Sequence, residues 1–131
     1  MVLDTSGLFA VLASDDRHHH AALAALSDDR GPYVVPAGIL AEAGYMIETR
    51  LGIDVLGAFL SDLETDAFTY DCDASDLRRI RELTARYHDL HLGVADAAVV
   101  ACAERTMAPI LTFDRRDFQV VAREGTISIV P

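Results

Sequence analysis

Four acidic residues of this 131-residue chain stand next to apolar segments: Asp4, Glu42, Asp96 and Asp114. Asp4 directly follows the apolar segment "MVL", and Asp114 follows "PILTF", so each comes at the end of a predicted strand. The carboxyl ends of parallel strands meet at one edge of a sheet, where ligands of such sheets bind. We therefore expect Asp4 and Asp114 to lie close together. Asp96 begins a helix that must return toward this sheet before the second of these strands.

Several carboxylates in one pocket repel each other, and protonation would be a poor remedy at pH 7. A divalent cation would resolve the conflict. A site made of carboxylate oxygens, without histidine or cysteine, suits Mg²⁺ or Mn²⁺ better than zinc. The four acids therefore predict a magnesium or manganese site at this edge of the sheet.

The Asp96 helix is apolar nearly all the way round. Nine of the ten residues from Val94 to Ala103 are valine, alanine or cysteine, which indicates a helix buried on most faces. A carboxylate in such surroundings is costly unless something pairs with it. Either Asp96 belongs to a site, or it is a helix cap, since aspartate is favoured there and the first turn favours negative charge.

The other three acids also have structural alternatives. Glu42 has Ile39 and Met46 one helical turn away, so we expect it to face the core, where it could pair with a buried arginine. Asp4 could be a turn residue or a helix cap, and Asp114 could begin the turn in "DRRDF". The metal site is favoured because three of the four acids reach one sheet edge independently.

The elements that position these acids alternate between strand and helix, which predicts an α/β fold with a parallel sheet covered on both faces. Five strands are predicted in "MVL", "YVVP", "AFTY", "PILTF" and "TISIV". Helices are predicted in "TSGLFAVLAS", in "HHHAALAAL" with a solvated histidine start, from Pro36 to about Thr49, from Leu51 to Leu60, from Ser75 or Asp76 to about Tyr87, and between Gly93 and Pro109. The segment "DRRDF" is interpreted as a polar loop.

Composition indicates one domain spanning residues 1–131, with 51% hydrophobic residues. No apolar run approaches the ~20 residues of a membrane span, and no signal peptide precedes the first strand, so we expect a cytoplasmic protein. Cys72 and Cys102 suggest neither a disulfide framework nor a metal cluster.

The charge balance restricts the partners. The net charge of −10 argues against a broad surface for nucleic acid. All 11 basic residues are arginine, whose planar guanidinium suits phosphate, so a local basic strip remains compatible with the acidic total. Arg115 and Arg116, beside Asp114, are the best placed to meet a phosphate.

Four segments together resemble the PIN-domain family, and specifically the VapC-like ribonuclease toxins. They occur in family order between Met1 and about Phe118: "VLDTSGLFAVL", "LAEAGYMI", "DLHLGVADAAVVACAER" and "ILTFDRRDF". The resemblance implies a PIN-like three-layer fold and a metal-dependent nuclease whose acidic quartet is Asp4, Glu42, Asp96 and Asp114. It also implies a cognate VapB-like antitoxin and a homodimer. Family hydroxyl positions fall on Thr5 and Thr112, and Asp117 is either an accessory acid or a turn cap.

The expected activity is hydrolysis of RNA with Mg²⁺ or Mn²⁺ held by Asp4 and Asp96, and with Asp114 completing the site. Glu42 would orient or deprotonate the attacking water. A phosphoaspartate hydrolase would need an aspartate at the position of Ser6, and a phosphorylated receiver domain would need a lysine, which this chain lacks. A metal-free binding protein on the same fold is the remaining alternative.

Overall fold

A computed structural model describes all 131 residues. Its centre is one five-stranded sheet in which every neighbouring pair of strands is parallel. In sheet order these strands are β3, β2, β1, β4 and β5, with bounds β1 Val2–Leu3, β2 Val34–Pro36, β3 Thr69–Asp71, β4 Ile110–Leu111 and β5 Ile129–Val130. The predicted α/β fold with about five short strands is confirmed.

Seven α-helices and two short 3₁₀ turns connect and flank the strands. The 3₁₀ turns span Ala37–Ile39 and His88–Leu90. The helices are α1 Thr5–Leu12, α2 His19–Asp28, α3 Leu40–Leu51, α4 Ile53–Glu64, α5 Asp76–Arg86, α6 Val94–Thr106 and α7 Arg115–Ala122. None of them is long and apolar enough to cross a membrane.

Helix α6 is the central helix of the core, as its composition predicts. Every residue from Ala97 to Ala103 is buried, and the helix packs against β1, β2, β4 and α5. Two glycines allow close packing: one brings the 3₁₀ turn before α3 against α6, and the other brings α1 against β4. A Cβ atom at Gly38 would lie 2.4 Å from the Ala98 Cβ, and one at Gly7 would lie 2.2 Å from the Leu111 carbonyl oxygen. The contact at Gly38 holds the N-terminal part of α6 against the 3₁₀ turn that leads into α3.

The segment "DRRDF" is not a loop, and this prediction is wrong. Its residues after Asp114 form the first turn of α7, which continues to Ala122. The helix buries Phe118 and Val121, three residues apart, and that spacing gives it an apolar face. Short helices depend on such tertiary packing for their stability. Because the first turn of α7 is polar, its local sequence does not indicate a helix.

Two boundaries and the burial of one histidine also differ from the sequence prediction. Pro36 closes β2, and α3 begins only at Leu40 after a 3₁₀ turn. Strand β3 spans Thr69–Asp71, so it begins and ends later in the chain than the predicted strand "AFTY". The histidine run is only partly solvated, because His18, which precedes α2, is half-buried and stacks on Phe113.

Candidate active site

Asp4 lies at the carboxyl end of β1 and is only 5% exposed. It is the N-cap of α1, and its Oδ2 accepts hydrogen bonds from the backbone N–H of Ser6 (3.3 Å) and from the Ser6 Oγ (2.7 Å). Thr112, which follows the neighbouring strand β4, donates its hydroxyl to the same oxygen at 2.9 Å. Asp4 is thus both a helix cap and a buried carboxylate fixed across two strands.

Ser6 connects the ends of the two strands, and the sequence analysis did not identify it. Its Oγ accepts hydrogen bonds from the backbone N–H groups of Phe113 (2.9 Å) and Asp114 (3.3 Å) while donating to Asp4. The hydroxyl named from the resemblance, that of Thr5, is buried and has no hydrogen-bond partner. An aspartate cap followed two residues later by serine is the local signal that could have identified Ser6.

Asp96 lies in the first turn of α6, whose N-cap is Gly93. Its pKa is raised to about 6, first because burial removes water from the carboxylate and then because Asp4, Asp117 and Glu42 are negatively charged nearby. The backbone N–H of Gly93 lowers the pKa and so acts in the opposite direction. Asp96 is therefore an acid of the first turn whose charged form is opposed by burial and by three other carboxylates.

We refer to Asp4, Glu42, Asp96 and Asp117 as the acidic cluster. Each belongs to the N-terminus of a different helix: Asp4 caps α1, and the others occupy the first turns of α3, α6 and α7. None takes part in an ion pair. The positive ends of four helix dipoles offset part of their repulsion, but each such end is equivalent to only about half a charge.

Two predicted site residues are placed differently from the others. Glu42 is exposed, so the expectation that it faces the core is wrong, although its charge reaches Asp96. Asp114 is also exposed and is not among the charges that raise the pKa of Asp96. Its backbone is nevertheless tied to the site through Ser6 and Thr112. Asp117, in the first turn of α7, is the residue of this segment whose charge raises the pKa of Asp96.

The predicted phosphate contacts, Arg115 and Arg116, are both exposed in the first turn of α7. Neither forms an ion pair, so both guanidinium groups are available to a ligand that approaches this edge of the sheet.

The acidic cluster has the donor set of a magnesium or manganese site. All of its potential ligands are carboxylate oxygens, and neither histidine nor cysteine belongs to it. The raised pKa of Asp96 reflects the cost of holding a negative charge there without a cation, first because the carboxylate is removed from water and then because other carboxylates are near. A divalent ion would remove that cost, so the residues present fit the ion.

A second group of potential metal ligands lies elsewhere, and the sequence analysis did not foresee it. Asp71, Asp76 and Cys102 bring their ligand atoms within 4.8 Å of one another. However, the Arg105 guanidinium occupies this group, at 2.7 Å from Asp71 and 2.8 Å from Asp76. Burial raises the pKa of the Cys102 thiol to about 11, so it stays protonated at neutral pH. We refer to these four residues as the Arg105 cluster, in which an internal cation already pairs with both carboxylates.

A parallel α/β sheet with unpaired carboxylates at its carboxyl edge has the chemistry to bind a divalent ion at the place where such sheets bind their ligands. The family profile of the PIN domain matches residues 1–124, and the chain belongs to the PIN-domain family. The resemblance stated from the four sequence segments is therefore confirmed.

Similar proteins support this assignment. The chain is 31% identical to Ribonuclease VapC26 of Mycobacterium tuberculosis over 135 aligned positions, which cover 100% of both proteins. Its fold matches the crystal structure of VapC20, a Sarcin-Ricin loop cleaving toxin of the same organism (TM-score 0.81, 17% identity, 99% and 98% of the two chains). It also matches FitAcB from Neisseria gonorrhoeae (TM-score 0.65, 17% identity, 99% and 96% of the two chains). At 17% identity these two matches establish the fold.

Proposed function

We propose that this protein is a divalent-metal-dependent ribonuclease that acts as the toxin of a toxin–antitoxin pair. The observation that carries the proposal is a half-buried Asp96 whose pKa is raised by burial and by the nearby charges of Asp4, Asp117 and Glu42, none of them paired with a cation, in a chain that is 31% identical over its full length to a VapC ribonuclease. A structural role would favour pairing these acids with arginine, as in the Arg105 cluster. Their unpaired state is better explained by a ligand that brings positive charge.

Asp4 and Asp96 are the proposed principal ligands of Mg²⁺ or Mn²⁺, with Asp114 or Asp117 completing the site. When bound, the ion would neutralise the carboxylates, lower the pKa of water and stabilise negative charge on the leaving oxygen. It would also allow the phosphate backbone of RNA to approach an acidic pocket.

The residues around the proposed ligands hold them in position. All three hydrogen bonds to Asp4 reach its Oδ2, from Ser6 and Thr112, which leaves Oδ1 as the oxygen available to a cation. Glu42, which is exposed and whose charge acts on Asp96, is the proposed acceptor of a proton from the attacking water. Arg115 and Arg116 carry the positive charge that would hold the phosphate.

Incubation of the purified protein with total RNA, with and without Mg²⁺ or Mn²⁺, tests the activity. We expect cleavage that requires the ion, stops in excess EDTA and gives discrete ends when the products are mapped. The Asp4→Asn variant is the control for contaminating nucleases. Full activity in EDTA, or equal activity in the variant, would show that the cleavage does not come from the proposed site. A catalytically silent binding protein would give no cleavage under any of these conditions.

The toxin role and its partners require separate tests. We expect expression of the protein alone to arrest growth and co-expression of a VapB-like antitoxin to restore it. Asp96→Asn, expressed to the same level, should leave growth unaffected. We also propose a homodimer acting in the cytoplasm, and sedimentation equilibrium would measure its mass. A wild-type protein that cuts RNA in vitro but does not affect growth would contradict the toxin role only.

A further inference from the structure

A cavity of about 410 Å³ lies beside the candidate active site and differs from it in chemistry. Aromatic and cationic side chains line much of it, and we refer to Phe9, Arg17, His18, Arg50 and Phe113 as the side cleft. The sequence analysis assigned no function to any of these residues. A pocket that combines rings with arginines is unexpected in a chain of net charge −10 and has the composition of a nucleic-acid-binding groove.

The side cleft is joined directly to the candidate active site. Ser6 and Asp114 line the same cavity, and the backbone N–H of Phe113 donates to the Ser6 Oγ at 2.9 Å. Ser6 in turn donates to the carboxylate of Asp4 at 2.7 Å. A polymer whose backbone lies at the acidic cluster would therefore place a neighbouring unit in the side cleft.

His18 and Phe113 form an aromatic platform in the cleft. Their rings are stacked, with centroids 4.3 Å apart and planes inclined by 13°. Both side chains are half-buried, so the platform is held in place yet remains accessible. The Nε of Arg17 donates to the Nε2 of His18 at 2.9 Å, which fixes the orientation of the imidazole. Nucleobases stack on such rings with little dependence on sequence.

Two arginines provide the positive charge. Arg17 and Arg50 are exposed, and neither forms an ion pair with a carboxylate. The Arg50 guanidinium lies 5.6 Å from the centroid of the Phe9 ring, which orients it without neutralising it. Asp16 also lines the cavity, but its Oδ1 accepts the backbone N–H of His18 at 2.7 Å at the start of α2. Both guanidinium groups are thus available to a phosphate.

We propose that the side cleft binds the nucleotide next to the cleaved bond of a single-stranded RNA. Its base stacks on the platform of His18 and Phe113, and its phosphate is bound by Arg17 and Arg50. Stacking on a side chain requires a base that is free of its own helix, so the cleft selects single strands and loops over duplex. This inference rests on the proposed ribonuclease function and adds the residues that recognise the substrate.

Binding of a fluorescent single-stranded RNA of about 10 nucleotides, a length within the range of single-strand sites, tests the proposal. The measurement uses the full-length Asp96→Asn protein in Mn²⁺, so that binding is followed without rapid cleavage. We expect Arg50→Ala and His18→Ala each to weaken binding about fivefold or more. Arg81→Ala is the matched control, because Arg81 is exposed on α5 without an ion pair, and it should stay within about twofold of the parent. His18→Phe, which retains a ring, should recover most of the affinity.

Equal RNA affinity in the cleft variants and the parent would overturn the proposal, and this is also the result expected if the cleft binds an acidic peptide instead. Equally tight binding of a duplex of the same sequence would overturn it as well. Melting curves show whether each variant is folded, and loss of affinity in His18→Phe equal to that in His18→Ala would exclude stacking. Failure of the wild-type protein to cut RNA in Mn²⁺ contradicts the proposed function instead, since the binding comparison does not depend on cleavage.

Discussion

The protein contains two groups of acidic residues near the carboxyl ends of its strands, and the chain treats them in opposite ways. Asp4 follows β1 and belongs to the acidic cluster, whereas Asp71 is the last residue of β3 and belongs to the Arg105 cluster. Arg105 lies within 2.7 Å of Asp71 and 2.8 Å of Asp76. The acidic cluster has no such arginine, and the pKa of Asp96 is raised to about 6.

This difference separates acids that maintain the fold from acids that await a ligand. In the Arg105 cluster, one guanidinium joins the end of β3 and the start of α5 to α6, so the charges stabilise the packing of three elements. In the acidic cluster, four helix N-termini present carboxylates to one another and the fold carries the repulsion. Unrelieved repulsion of this kind is typical of functional sites.

The largest expected difference between the two groups is in the rate of RNA cleavage after one charge is removed from each. Asp96→Asn should lower the rate of RNA cleavage in Mn²⁺ by at least ~10²-fold, because it removes a proposed metal ligand and its charge. Asp71→Asn removes one charge from the Arg105 cluster and should leave the rate within about twofold of wild type. Initial rates on one RNA substrate provide the comparison. A similar loss of activity in both variants would mean that the two groups do not differ in function.

The converse change removes the internal cation. Arg105→Ala should lower the free energy of unfolding by about 1–2 kcal/mol, because two charge-assisted pairs are lost and Asp71 and Asp76 are left facing each other. RNA cleavage below the melting temperature should be unchanged. Denaturant unfolding measures the first quantity and a cleavage assay the second. A stable but inactive Arg105→Ala protein would place Arg105 in the active site rather than in the fold.

The third comparison concerns the two acids at the start of α7, its N-cap Asp114 and Asp117 in its first turn. The charge of Asp117 is among those that raise the pKa of Asp96, so Asp117→Asn should reduce the cleavage rate by about tenfold and Asp114→Asn by less. The resemblance assigns the fourth position to Asp114, whereas the effect of nearby charges on the pKa of Asp96 favours Asp117. Rates measured at several Mn²⁺ concentrations show whether a loss arises from weaker ion binding. A larger effect of Asp114→Asn would restore the quartet that the resemblance implies.

The sequence predicted the sheet, α6 and the presence of acids at one edge, because these features follow from local patterns. Apolar runs between turn residues gave the strands, and the continuous apolar composition of α6 gave its burial. Asp4 and Asp114 were placed at the edge because each follows a predicted strand, and in the structure Asp4 directly follows β1. Glu42 was identified from its apolar neighbours, which placed it on the wrong face, and the resemblance then assigned it to the quartet.

What the sequence did not predict depends on contacts between distant residues. The pairing of Arg105 with Asp71 spans 34 positions, and no local pattern marks it. Helix α7 was missed because its first turn is polar and its burial of Phe118 depends on the packed core. The sequence consequently left Asp117 as either an accessory acid or a turn cap, whereas it lies in the first turn of α7 and its charge raises the pKa of Asp96. The role of Ser6 likewise depends on the approach of the β4 end to α1.

The smallest expected effect concerns stability without metal, where the repulsion at Asp96 should be measurable directly. The carboxyl of Asp96 has a pKa of about 6 in the folded protein and 3.8 as its ordinary value. The folded state therefore holds the proton more tightly than the unfolded state, so the contribution of Asp96 to stability falls as the pH rises from about 4 to about 6 and stays low above it. In EDTA at pH 7, Asp96→Asn should stabilise the protein by about 1 kcal/mol, a value reduced by solvent screening at this half-buried position.

The same two proteins should show no difference in EDTA near pH 4, where the wild-type carboxyl is protonated, and Mn²⁺ at pH 7 should reverse their order. The ion binds the native wild-type cluster and stabilises it by mass action, whereas the variant has lost a ligand and gains little. Melting curves at both pH values, with EDTA and with Mn²⁺, measure these differences. If Asp96 served only as a capping residue, asparagine would replace it almost equally well under all conditions. Equal melting temperatures of the two proteins in EDTA and in Mn²⁺ would therefore assign Asp96 a helix-capping role only. The acidic cluster would then not differ from the Arg105 cluster by awaiting a ligand.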